Sequence, residues 1–78
     1  MVKLKRLGQC KKGSVNRIIQ IEGNGSLKKR LLEMGFIENT SIKTVKFAPL
    51  SDPIEFNIKG YNVSLRKKEA DRILVKPE

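Results

Sequence analysis

Seventy-eight residues carry seventeen Lys and Arg against eight Asp and Glu, no His and a single Cys, for a formal net charge of +9. A chain of this size is expected to form one domain, residues 1–78, with a small core, and its lone Cys10 excludes an internal disulfide and suits a reducing compartment. No apolar run approaches the roughly 18 residues that cross a bilayer, and no amino-terminal stretch has the form of a secretory signal, so a soluble cytoplasmic protein is expected.

The charge points to an acidic partner: nucleic acid, an anionic membrane face and an acidic protein surface all gain from long-range attraction. Met1 to Lys12 holds Leu4, Leu7 and Gly8 among five basic residues without a sustained period, and reads as a loop or first turn with Leu4 and Leu7 turned inward. Cys10 follows Leu7 by three residues and has no His to activate it, so it reads as an inert small residue rather than a reactive thiol.

Gly13 opens a strand, G-S-V-N-R-I-I-Q-I-E-G. Strict alternation puts Val15, Ile19 and Ile21 on one face and Ile18 on the other, so this strand is either covered on both sides or bulged. Gly23, Asn24 and Gly25 break it. A glycine-rich loop before a helix raises the question of phosphate binding, but E-G-N-G-S-L matches neither G-x-G-x-x-G nor G-x-x-x-x-G-K-[ST] and reads as a turn plus cap.

Ser26 to Phe36 is the one segment with apolar residues at helical spacing. Leu27, Leu31 and Met34 share a face, while Lys28, Lys29 and Glu33 fall largely on the other. Asn24 and Ser26 are both candidate N-caps. Gly35 predicts a left-handed ending in which Phe36 touches Leu31, a Schellman motif. A helix this short is marginal alone and must be held by burying its apolar face.

Ile37 to Thr40 is a polar connection, and Ser41 to Ala48 predicts a strand with Val45 and Phe47 on one face and Ile42 out of phase. A-P-L-S-D-P, two prolines and an Asp within six residues, predicts a fixed loop in which Asp52 caps a turn, with a metal or partner contact as the alternative, although one carboxylate is not a site. Ile54, Phe56 and Ile58 alternate cleanly with polar residues. Lys59-Gly60-Tyr61-Asn62 predicts a hairpin with Gly60 at the first central position of a type II′ turn. Val63 and Leu65 begin the return strand, Arg66 to Asp71 suits a short helical turn, and Ile73 and Val75 mark a last strand.

About five short strands, a hairpin and one to two short helices make the chain mainly β. A small SH3-like β-barrel is expected in preference to a flat α+β sheet, because curling removes most of the edges that so small a sheet would leave open. Zinc-type sites need several Cys or His ligands, and hard-metal sites need clustered carboxylates, whereas the eight here are scattered. No cofactor is expected, and any transition-metal binding is weak. Without His there is no Ser-His or Cys-His pair, so the chain is not expected to be an enzyme or to take a small-molecule substrate. Phe36, Phe47 and Phe56 occupy expected core positions and Tyr61 a turn, which leaves no stacking platform and makes a small basic nucleic-acid-binding barrel the second reading.

The order I-E-G-N-G-S-L-K-K-R-L-L-E-M-G-F, then A-P-L-S-D-P-I, then S-L-R-K-K-E-A-D-R-I-L-V resembles the FeoA family from about Leu7 to Val75. These are small cytoplasmic accessory proteins of bacterial ferrous iron transport, related to the carboxy-terminal domain of iron-dependent repressors. The chain carries Ser51 where that family is usually written with Gly. The resemblance implies an SH3-like barrel and a partner, the cytoplasmic part of the membrane GTPase-permease FeoB, which makes the protein membrane-proximal. Expected partner contacts are the helix face of Lys28, Lys29 and Glu33 and the loop residues Leu50 and Asp52, with Leu50 either exposed or folded back onto the barrel.

Overall fold

The computed structural model describes residues 3–78. Eight regular elements follow in order: β1 (Lys5–Arg6), β2 (Val15–Ile21), α1 (Ser26–Glu33), β3 (Ser41–Phe47), β4 (Ile54–Ile58), β5 (Tyr61–Leu65), α2 (Lys67–Ala70) and β6 (Ile73–Pro77). The strands form one antiparallel sheet in the order β1-β6-β2-β3-β4-β5. Ile18, Ile42, Phe56, Leu65 and Val75, one from each of the five longer strands, meet in a single core cluster, so the sheet curls around it as a small barrel. The sequence predicts about five strands; the sixth is the two-residue β1, which is too short to carry a period.

α1 sits where its spacing predicts. Leu31 is fully buried, and Leu27 and Met34 pack half-buried against the core. Its carboxyl end is a Schellman motif: Gly35 has φ 102°, the Phe36 amide donates to the Leu31 carbonyl at 3.0 Å and the Gly35 amide to Leu32 at 3.1 Å. Its start differs from expectation. Gly25, at φ 92°, is the N-cap residue, with no side-chain cap, so neither Asn24 nor Ser26 caps the helix. Only Gly adopts that backbone without cost, which closes the turn on conformation rather than on a hydroxyl or amide.

Two strands depart from strict alternation for the same reason. In β2, Ile18 pairs with Val75 while Gln20 pairs with Leu74, so Ile19 is an extra, bulged residue. In β3, Thr44 pairs with Phe56 while Lys46 pairs with Glu55, so Val45 is bulged. Each bulge flips the phase, so Asn16, Ile18 and then Ile21 face inward in β2, and Ile42, Thr44 and then Phe47 in β3. Val15 and Ile19 therefore do not share the face of Ile21, and Ile42 rather than Val45 enters the core.

β4 alternates as predicted, with Ile54, Phe56 and Ile58 buried. The hairpin turn lies one residue earlier than predicted. Ile58 pairs with Tyr61, and the central residues Lys59 and Gly60 both have positive φ, 52° and 87°, which makes the turn type I′. Leu7 is buried in a 3₁₀ turn at Leu7–Gln9, but Leu4 is 43% exposed because β1 lies at the sheet edge.

A candidate partner-binding surface

The residues nominated on α1 divide between two stripes. Lys28 and Leu32, four apart, flank a groove of about 150 Å³ whose other wall is β2, with Ile19 and Ile21, and whose end is Glu38. Lys29 and Glu33 form the next stripe and are exposed. Arg30, on the far side of the second stripe from the groove, pairs with Glu69 of α2. The helix face therefore offers a mixed-charge ridge beside a partly apolar groove.

The second nominated region, the loop between β3 and β4, is closed by the Ala48 amide on the Pro53 carbonyl at 3.0 Å and the Ser51 amide on Ala48 at 2.8 Å. That closure forces Leu50 and Ser51 into the left-handed region, at φ 69° and 64°. Left-handed backbone is strained for residues bearing Cβ, and Ser51 is a position that Gly would occupy without that strain. Leu50 does not fold back: 99% of its surface is exposed.

Asp52 is used by the fold. Its Oδ1 accepts the Lys67 amide at 3.0 Å, so it satisfies an orphan donor at the start of α2. Glu69, whose Oε1 also accepts the Arg66 amide at 3.0 Å, reaches back to Arg30 on α1. α2 thus links the loop to the middle of α1. The carboxyl end of α1 lies elsewhere, at the hairpin tip, where the Tyr61 hydroxyl donates to the Met34 carbonyl. That tip and the Leu50 loop stand at opposite ends of β4, about 15 Å apart along the strand.

Leu32 and Ile37 are exposed apolar residues that the periodicity argument did not single out. The signal was present for Leu32, since it adjoins the buried Leu31 and cannot share its face. Burial pushes the Cys10 thiol above its ordinary value, with Lys5 opposing, and its Sγ lies 3.7 Å from the Arg6 carbonyl. Among the described residues no three Cys, Asp or Glu gather as a metal site. Phe36 and Phe56 are buried and Phe47 packs half-buried against the core, while Tyr61, 46% exposed, donates its hydroxyl to the Met34 carbonyl of α1.

Fold and surface together define a small SH3-like barrel domain whose apolar loop residue is held clear of the core. The same architecture is found in Stenotrophomonas maltophilia FeoA, described as a prokaryotic SH3 domain protein, at TM-score 0.78 and 22% identity over 88% of this chain and 86% of that one. It also recurs within a manganese-dependent transcriptional repressor, at TM-score 0.89 and 15% identity, over 100% of this chain and 44% of the repressor. A model of the FeoA domain matches residues 5–77, and the chain belongs to the FeoA domain family.

An FeoA-like protein from Clostridium acetobutylicum is 34% identical, with TM-score 0.90 over 99% of this chain and 90% of that one. A Porphyromonas gingivalis protein described as a fusion of Fe(2+) transport protein A and the Fe(2+) transporter FeoB is 44% identical over 70 residues, 90% of this chain. The chain spans 8% of that relative's length.

Proposed function

We propose that this domain is a cytoplasmic, non-catalytic accessory of ferrous iron uptake that acts as a single unit by contacting the cytoplasmic portion of FeoB. The observation that carries the reading is the fusion: in the Porphyromonas relative a segment 44% identical to this chain is covalently joined to an Fe(2+) transporter FeoB. Joining two modules makes their encounter intramolecular and raises their effective concentration to the millimolar range, which is useful when the two must meet.

Leu50 supplies the main apolar contact. A fully exposed Leu in a closed, strained loop loses little freedom on docking, and its burial is worth about 1.5–3 kcal/mol. Lys28, half-buried at the groove, and the exposed Lys29 and Glu33 contribute orientation, since charges near the surface are each worth under about 1 kcal/mol. Asp52 acts through the loop, because its carboxylate is engaged with α2.

The affinity of wild type, Leu50→Ala and Lys28→Glu/Lys29→Glu for the soluble domain of FeoB tests the proposal. Leu50→Ala is expected to weaken binding by about tenfold or more, from the same burial term. Folded variants that all bind as tightly as wild type would remove this surface from the reading, and absence of wild-type binding at high concentration would remove the soluble domain as partner.

A further inference from the structure

Five of the eight carboxylate side chains are ion-paired, to Arg6, Arg17, Arg30, Lys46 and Lys67. Twelve of the seventeen cations therefore have no carboxylate within 4.0 Å among the described residues. They are unevenly placed. Two shallow depressions open at the end of the barrel where the chain enters β2, and both are lined by Lys5. Lys3 and Leu4 line one, Lys11 and Val15 the other, and no Asp or Glu lines either.

The basic surface continues beyond them. Lys43 stands opposite Val15 in the β2–β3 ladder, and the turn bearing Lys12 is held against β3 by the Gly13 amide on the Thr44 carbonyl at 2.7 Å. Two acidic side chains adjoin this surface, and both are engaged: Glu22 is ion-paired to Arg6, which lines the first depression, and Glu78, whose amide donates to the Val15 carbonyl, has its carboxylate occupied by Arg17 and Ser41. Within this predominantly basic surface stand two exposed apolar side chains, Leu4 at 43% and Val15 at 41%. None of Lys28, Lys29, Glu33, Leu50 or Asp52 belongs to it.

We propose that this end of the barrel docks directly on an anionic phospholipid bilayer. Lys3, Lys5, Lys11, Lys12 and Lys43 lie over headgroup phosphates while Leu4 and Val15 enter the interfacial layer. Lysines near an anionic leaflet each add attraction that fades within a Debye length, and apolar side chains at the same level add burial that headgroups alone do not reward. A nucleic-acid backbone would use the cations but gives the two aliphatic side chains no base to stack on. Direct lipid contact goes beyond docking on FeoB and needs no transporter to test, so either idea can fail alone.

The full chain is sedimented with vesicles of phosphatidylcholine alone or mixed with phosphatidylglycerol, at rising salt. Binding is expected only to the anionic vesicles, falling with salt. Lys11→Glu/Lys12→Glu is expected to weaken it at least about tenfold, with Lys43→Glu acting in the same direction. Lys28→Glu/Lys29→Glu, an equal change of net charge on α1, is expected to leave binding within about twofold. Val15→Asn is expected to weaken binding without changing its salt dependence, with thermal unfolding confirming that each variant is folded. No binding to anionic vesicles at physiological salt overturns the proposal, as does an equal loss from both double variants, which would leave only net charge. Displacement from the vesicles by duplex RNA at equal phosphate concentration overturns it in favour of nucleic acid.

Discussion

The carboxyl end of α1 and the loop between β3 and β4 are both sharp reversals with residues at positive φ, yet the fold uses their side chains in opposite ways. At the helix end Gly35 takes the left-handed backbone, Phe36 and Leu31 are buried, and Tyr61 caps the Met34 carbonyl from another strand. In the loop the left-handed backbone falls on Leu50 and Ser51, which bear side chains, and Leu50 touches nothing. Where conformation and burial agree, a reversal serves stability. Where a strained backbone carries a large apolar side chain into water, the reversal gains nothing from burying it.

Substitutions probe this contrast from both sides. Leu31→Ala should be the most damaging, at about 2–5 kcal/mol, because it leaves a cavity beneath the helix. In so small a domain that is a large part of the total, and the urea midpoint should fall accordingly. An unchanged midpoint would mean that α1 is not anchored by this face. Gly35→Ala should cost about 1–3 kcal/mol, since it places Cβ on a residue at φ 102° and 2.9 Å from the Tyr61 hydroxyl.

Tyr61→Phe keeps the ring and removes only the donor to Met34, so a loss of about 0.5–1.5 kcal/mol is expected by thermal unfolding. The loop should respond with the other sign. Ser51→Gly relieves the φ of 64° and should stabilise by up to about 1 kcal/mol, partly offset by the freedom Gly gains in the unfolded chain. Leu50→Ala should change stability by less than about 0.5 kcal/mol in the same melts. A large loss there would show that the loop is built into the fold, and the contrast between the two reversals would disappear.

Elements whose signals are local were readable from the residues alone. The face of α1, its Schellman ending at Gly35, the alternation of Ile54, Phe56 and Ile58, the short helix before Ile73 and the family pattern all depend on neighbours a few positions apart. Tertiary structure alone decided the bulges at Ile19 and Val45, because a bulge is defined by the partner strand, and it reversed the predicted facing of Val15 and Ile42. It also decided that Asp52 serves α2 fifteen residues away, and that Leu4 and Val15 lie open among lysines at one end of the barrel. Periodicity records which side chains are apolar and on which side of their own backbone they fall. Which of them are left in water is settled only when the sheet curls and runs out of core to cover them.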